Sequence, residues 1–450
     1  MINNFIKEKN FWFLSRRRIF IPVFCEYSIF FVTTYILKLY DISFLSNDFI
    51  ISTIIINLWI FISYLIGKYH IRTSNTKTII SKIFFKTTLI YLFLLIFYIF
   101  IFNFFKLENS NFSISIFIFS IFSFFSFVSQ IIISKNFYTI SQNNNTFLFI
   151  GDTKNFRKLK SQIKISDFNF KLIFYDYEIK KPISISDFNG IIIDDSLKNV
   201  FDELIDLLLF YKSNGIKIYN LLNWCNKFLQ RFPPELIKKI DLINIDLVSK
   251  QSFFHKRLKR SFDIIISIFL LIFLSPLLLI IGLMIYLEDK GPIFFSQKRT
   301  GHKGSIFNIL KFRTMKVNAE SSGPKWAQRN DSRVTKIGRY LRLFRIDELP
   351  QLIYVFKGTM TLIGPRPERP EFDTNLSKKV PHYSLRYLVK PGLSGWAQVN
   401  YPYGASEKDA INKLSYDLYY LKNISIRLDI LIFIKTIRLV LNKMLSEPSL

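Results

Sequence analysis

Four apolar stretches in the first third of the chain, over residues 19–39, 49–67, 83–105 and 112–133, constrain the fold more than any other feature. A helix needs about 20 mostly apolar residues to cross the hydrocarbon core of a bilayer, and each stretch is close to that length. The first is too long, and too poor in small residues at its end, to read as a cleavable signal peptide. The flanking charge sets an orientation. Lys7, Lys9 and Arg16 to Arg18 precede the first stretch, and Lys68, Arg72, Lys77 and Lys82 follow the second. The other two loops carry one lysine each beside acidic residues. Positive loops stay in the cytoplasm, so the N-terminus and the chain after the fourth stretch are expected there.

The net charge of +28, from 61 basic and 33 acidic residues, would suggest nucleic acid in a soluble chain. Here much of it borders apolar sequence and no nucleic-acid motif is present. A lipid bilayer with anionic headgroups and phosphate-bearing substrates are the expected partners. Two cysteines and four scattered histidines give neither a disulfide framework nor zinc-ligand spacing. Any metal is therefore expected to be a hard ion held by carboxylates and phosphates.

Residues 134–145 are polar and read as a linker. Short apolar runs at 146–150, 171–175, 190–193 and 216–219 then alternate with helical patterns around 154–165 and 200–212, which predicts a small parallel α/β domain over about 146–250. Only Gly151 stands where a dinucleotide site needs G-x-G-x-x-G, so a regulatory or dimerising role is the reading for this part, with a homodimer as a possible assembly. A fifth apolar run, 262–287, has basic residues on both flanks and Ser275-Pro276 at its middle. Charge on both sides favours a segment that enters and leaves on one face, and the proline favours a kink there.

Beyond it, Asp347 and Glu348 follow a cationic stretch. Pro350 is tolerated in a first helical turn and Gly358 suits the far end, so Asp347 is expected near a helix N-terminus. By itself it could simply cap that helix. Arg339, Arg342 and Arg345 recur every third residue and are expected on one helix face, either facing solvent and headgroups or turning Arg342 toward phosphates near Asp347.

The last 195 or so residues resemble the bacterial sugar transferase family, the polyprenyl-phosphate hexose-1-phosphate transferases. The resemblance rests on motifs in order: Lys259-Arg260-Ser261-Phe262-Asp263, Ser275-Pro276, Phe295-Ser296-Gln297-Lys298-Arg299-Thr300-Gly301, Lys311-Phe312-Arg313-Thr314-Met315, Asp347-Glu348-Leu349-Pro350-Gln351-Leu352, Gly364-Pro365-Arg366-Pro367, the stretch from Lys390 to Val399, and that from Tyr416 to Asn423. The first 250 residues are similar to the larger members, and Glu368-Arg369-Pro370-Glu371-Phe372 to the exopolysaccharide branch.

The resemblance implies a membrane α plus α/β protein: four transmembrane helices (1–140), a Rossmann-like domain (146–250) and a membrane-adhering catalytic domain (255–450) whose helix at 262–287 is re-entrant. It implies transfer of a sugar-1-phosphate from a UDP-sugar to undecaprenyl (polyprenyl) phosphate at the bacterial inner membrane, with release of UMP. Asp347 would be the nucleophile and Glu348 the Mg²⁺ ligand. Lys311, Arg342, Arg366 and Asp429 fall on positions near the phosphates. Members that carry Asn-Gly-Arg after the W-A-Q-V stretch differ from this chain, which has Asn400-Tyr401-Pro402, so that arginine's contact does not carry over. A glycosyltransferase releasing UDP is the first competing reading, weakened by the absence of D-x-D from the sequence. A non-catalytic scaffold is the second, weakened by the intact Asp347-Glu348 pair.

Overall fold

All four apolar stretches are helical, as their length and composition require: α1 (Phe11–Leu39), α2 (Ser46–Ile66), α3 (Thr76–Phe104) and α4 (Phe112–Ile140). The parts over Thr78–Phe100 and Ile116–Ser134 are long and apolar enough to cross a membrane, while the apolar parts described for the other two, Ile19–Tyr35 and Thr53–Ile66, are shorter. The computed structural model describes residues 11–39, 46–69, 76–104, 112–140, 145–165, 170–175, 188–194, 202–245, 247–248, 253–317, 319, 331–401, 404 and 406–445. The chain divides into two compact units, Met1–Asn144 and Asn145–Leu450. Helix α4 runs on to Ile140, so the first half of the expected polar linker is helical; residues 141–144 lie outside the described residues.

The helical unit holds a buried polar cluster that the loop charges concealed. Lys68 ends a turn that leaves α2 through Gly67 at φ 75°, and its side chain points inward rather than serving as a loop charge. Its ammonium donates to Glu26 Oε1 of α1 (2.8 Å) and to Ser126 Oγ of α4 (2.6 Å). The Tyr69 hydroxyl donates to the other Glu26 oxygen, and Lys68 lies over the Trp59 ring. Glu26 and Lys68 are 1% and 0% exposed. Charges placed among apolar helices are expensive unless paired, so each needs the other.

The second unit begins with the expected parallel sheet. Strands β1 (Asn145–Ile150), β2 (Phe170–Tyr175), β3 (Gly190–Ile193) and β4 (Lys217–Asn220) pair in the order β2-β1-β3-β4, all parallel. Such a sheet is covered by crossover helices, here α5 (Thr153–Ile165) and α6 (Asp202–Ser213). The chain after β4 packs onto the rest of the unit: Phe232 N–H donates to the Ser415 carbonyl (2.8 Å), the Trp396 indole to Gln230 O (3.0 Å) and Asn423 to Asn226 (2.8 Å).

The fifth apolar run forms two helices, α7 (Phe253–Phe273) and α8 (Ser275–Asp289), bent by 59° at Leu274. Pro276 lies in the first turn of α8, where its missing N–H is harmless, and Ser275 Oγ donates to Ile272 O (2.7 Å). The basic cluster before the run is already inside α7. Antiparallel β5 (Phe294–Thr300) and β6 (Ile306–Phe312) follow. A parallel pair, β7 (Thr361–Ile363) and β8 (Gly392–Ser394), joins the two glycine-rich motifs. A Cβ on Gly392 would stand 2.1 Å from Gly364 N, so the backbones meet only because both are glycine. Helices α9 (Lys336–Leu343), α10 (Leu352–Lys357), α11 (Pro370–Lys379), α12 (Glu407–Lys422) and α13 (Ile426–Leu445) complete the unit. Its core gathers Ile309, Leu352, Val355, Met360, Trp396 and Tyr420, with Ile266 and Leu270 of α7 packed against it.

Removing one partner of a buried ion pair leaves the other uncompensated. Glu26→Ala is expected to cost roughly 3–5 kcal/mol, and Glu26→Met with Lys68→Met far less. Thermal unfolding of the detergent-solubilised chain checks this; equal losses for the single and double variants would count against it.

Candidate active site

Asp347 and Glu348 lie on a 3₁₀ turn, Ile346–Gln351, that leads directly into α10. The turn starts at Arg345 in the left-handed conformation (φ 56°, ψ 23°), so Asp347 sits in the first turn and Arg345, not Asp347, holds the cap position. Gly358 ends α10 at φ 88°, the left-handed stop its sequence position suggested. Helix α9 has already ended at Leu343, so Arg345 leaves the helix face expected for Arg339, Arg342 and Arg345. α9 is held close to its neighbours by Gly338, where a Cβ would stand 2.2 Å from the Thr314 carbonyl. Arg342 Nε donates to Thr314 Oγ1 (2.8 Å).

The two carboxylates differ in their partners. Glu348 accepts from both terminal nitrogens of Arg366, Nη1 at 3.2 Å, and the Lys311 ammonium stands 3.9 Å from its Oε1. Such a two-pronged guanidinium–carboxylate pair is among the stronger polar contacts a protein makes. Among the described residues the ion pairs of this turn fall on Glu348 and not on Asp347, although Asp347 is only 8% exposed. Lys311 is on β6 and Arg299 on β5, and the register Phe295↔Lys311, Arg299↔Phe307 puts both on one face of the hairpin. Arg299 donates to Pro367 O (3.1 Å), Glu368 (3.3 Å) and Gln297 (2.6 Å).

Burial and the adjacent Glu348 charge push the Asp347 carboxyl up to about 6, against the pull of Lys311, Arg342 and Arg366. Glu348 goes the other way: burial works to raise it, but Arg366 and Lys311 together hold it below the ordinary carboxylate range. Burial pulls the Lys311 ammonium down to about 8, opposed by Glu348, and Arg299 down to about 10, opposed by Glu368. The Glu348 charge raises Arg366. One carboxylate is thus fixed as an anion, while the other is kept near its titration point.

Of the residues singled out in the sequence, the fold brings Lys311, Arg342, Asp347, Glu348 and Arg366 together. Asp429 belongs to a separate cluster. It accepts from Lys259 (2.8 Å) and Tyr420 (2.8 Å), and Lys259 also donates to the Ile363 carbonyl (2.8 Å). Asp263 accepts from Thr361 Oγ1 (2.8 Å) and Leu362 N–H (2.9 Å), so the middle of α7 is tied to β7. Ser275 and Pro276 form the bend of the apolar helix pair. In the sequence Arg299 stands within a motif without a role and Arg345 reads as part of an arginine stripe; the charges of both act on the Asp347–Glu348 pair or its partners, which marks them as parts of the site. Asn400 accepts from Lys435 (2.8 Å) and Tyr401 donates to Asp409 (2.9 Å), while Pro402 lies outside the described residues.

A profile of the bacterial sugar transferase family matches residues 254–443. The chain is 46% identical over 184 residues to the UDP-N-acetylgalactosamine-undecaprenyl-phosphate N-acetylgalactosaminephosphotransferase of Aeromonas hydrophila, an alignment covering 41% of this chain but only 44% of that protein. It is 40% identical over 181 residues to the UDP-glucose:undecaprenyl-phosphate glucose-1-phosphate transferase of Caulobacter vibrioides, covering 40% of this chain and 68% of the relative. To the exopolysaccharide production protein PSS of Rhizobium leguminosarum bv. phaseoli it is 37% identical over 186 residues, covering 40% of this chain and 93% of the relative. The matched part holds the whole acidic–basic site and the bent apolar helix pair. The chain belongs to the bacterial sugar transferase family.

A carboxyl whose folded value lies above its unfolded one favours the fold when protonated. The contribution of Asp347 is complete below about pH 4 and is lost as the pH rises through about 6. Asp347→Asn is therefore expected to stabilise the protein above pH 7 by on the order of 1–3 kcal/mol, with the gain vanishing below pH ~4. Unfolding temperatures of both forms across pH check the sign.

Proposed function

We propose that the chain transfers a sugar-1-phosphate from a UDP-sugar to undecaprenyl phosphate and releases UMP, the initiating step of exopolysaccharide or related glycoconjugate synthesis. The observation that carries this reading is the unequal carboxylate pair: Glu348 clamped by Arg366 and Lys311, Asp347 buried without an ion partner among the described residues. The named relatives act on UDP-sugars and undecaprenyl phosphate. They use different sugars, so the family alone does not select one.

A diphosphate carries several negative charges, and the site supplies cations in excess. Arg299, Lys311, Arg342, Arg345 and Arg366 surround Asp347, Glu348 and Glu368. Asp347 is the nucleophile. Its carboxylate oxygen attacks the phosphorus that carries the sugar, forming a phosphosugar–Asp adduct and breaking the bond to UMP, which leaves as an anion. An oxygen of the polyprenyl phosphate then attacks the same phosphorus, and the carboxylate is regenerated. Covalent catalysis of this kind divides one hard displacement into two easier ones. Arg366 and Lys311 hold Glu348 ionised and stand ready to meet the diphosphate oxygens.

Among the described residues no three His, Cys, Asp or Glu side chains form a self-sufficient metal site. Mg²⁺ is commonly held by one or two carboxylates together with substrate phosphates, and a carboxylate has about four acceptor positions, so Glu348 can serve a metal while bonded to Arg366. The donor set fits Mg²⁺ shared with the diphosphate, with Glu348 as its ligand. When bound, the ion would neutralise charge on the diphosphate oxygens.

Four spanning helices, a cytoplasmic N-terminus and α7–α8 dipping into the inner leaflet of the bacterial inner membrane complete the proposal. The 59° bend at Leu274 and the basic residues on both flanks support re-entry. It keeps the site on the side of the soluble substrate while reaching the lipid phosphate.

Protein in nanodiscs with Mg²⁺, undecaprenyl phosphate and a panel of UDP-sugars is expected to release UMP from at least one of them; release of UDP, or of nothing, would overturn the reading. Asp347→Asn is expected to abolish both turnover and any trapped adduct. Pro276→Leu is expected to straighten the bend, making a cysteine placed near the C-terminus reachable by an impermeant reagent from outside. Continued cytoplasmic labelling would mean that flanking charge alone sets the topology.

A further inference from the structure

Arg366 carries the contact that fixes Glu348, yet little of its own backbone is held by regular structure. The β7–β8 pairing ends at Ile363↔Ser394. Beyond it the chain runs through Gly364-Pro365-Arg366-Pro367, tied by Gly364 N–H to Ser394 O and by Gly392 N–H to Pro365 O (both 2.8 Å). The Arg366 peptide itself is gripped from below. Arg386 Nη2 donates to the Arg366 carbonyl (2.7 Å), and the same guanidinium donates through Nη1 to the Tyr383 hydroxyl (2.6 Å) and pairs with Asp417 (3.1 Å). Arg386 and Asp417 are both buried.

A buried cation is expensive, and among the described residues Arg386 makes its ion pair with Asp417. Its fork spends one donor on a backbone oxygen. That oxygen belongs to Arg366, whose side chain reaches Glu348 by two bonds. The Arg366 side chain is long and 36% exposed, so its direction depends on how its peptide plane is set. A displacement of about 1 Å in such a support can cost on the order of a hundredfold in rate.

We propose that Arg386, held by Asp417 and Tyr383, is a positioning residue for the transfer reaction: it fixes the Arg366 peptide, and through it the alignment of the Arg366 guanidinium with Glu348. Lysine at position 386 keeps the charge but cannot present the same planar fork. The inference rests on the reading that Glu348 and Arg366 serve phosphate transfer.

A double-mutant cycle tests it, using UMP release from full-length protein in nanodiscs with the UDP-sugar that the wild type turns over. Arg386→Lys and Arg366→Lys are each expected to lower kcat about tenfold or more, with KM moved far less. The double variant should fall no more than about threefold below the worse single variant, because both changes break one chain of contacts. Losses that multiply would overturn the proposal and leave Arg386 a structural residue. If Arg386→Lys does not fold, Asp417→Asn loosens the same grip while keeping its shape. Its smaller loss, about threefold to tenfold, should disappear in the Arg366→Lys background; persistence there would equally overturn the proposal. A wild type that releases no UMP fails the functional reading itself, whereas an active wild type with additive losses fails only this inference.

Discussion

Two neighbouring carboxylates placed in a largely buried turn repel each other, and neither burial nor sequence proximity offers relief. The structure resolves this by treating them unequally. Arg366 meets Glu348 with two donors and fixes its charge, which leaves Asp347 to carry the strain of the pair as a raised affinity for protons. Much of the second unit can be understood as support for that division. Lys311 reaches the pair from a β-hairpin, and Arg299 from the same hairpin holds the Pro367 carbonyl. Two glycine-rich motifs lock together so that Arg366 emerges at a fixed place.

The same segment is also wired to the apolar helix pair. Lys259 of α7 donates to the Ile363 carbonyl and pairs with Asp429 of α13, and Asp263 one turn later holds Thr361 and Leu362. Arg260 donates to the Val355 and Phe356 carbonyls at the end of α10. The basic residues at this end of α7 therefore act as fasteners within the unit. This fastening ties the apolar helix pair to the segment that carries Arg366.

Features that depend on local pattern were legible in the sequence. The helical character of the apolar stretches, the alternation of strand and helix after residue 145, the turn before Gly358 and the break at Ser275-Pro276 all follow from period, propensity and backbone constraint. Features set by distant partners were not. Lys68 looked like a loop charge because its partner Glu26 lies 42 residues earlier. Asp429 was placed near the phosphates by resemblance, and its ion pair with Lys259, 170 residues away, is out of reach of local pattern. Arg345 broke the three-residue arginine pattern because α9 stops at Leu343, and no periodicity reports where a helix ends. Arg386 gave no sign at all, since its role depends on a carbonyl oxygen rather than on a recognisable side chain.

The seam between the chain after β4 and the second half of the unit has a modular consequence. Trp396, Ser415 and Asn423 each share a hydrogen bond with residues 226–232, so the Trp396 motif that looks local to the site is also an attachment point for chain outside the family-matched region. The Rhizobium relative aligns over 93% of its length with just 40% of this chain. The family's shared part can therefore exist with little else around it, and here residues 226–232 meet it through an indole and two other polar groups. Cutting this protein at the family boundary would thus strip the shared part of a fitted cover rather than remove a loosely tethered passenger.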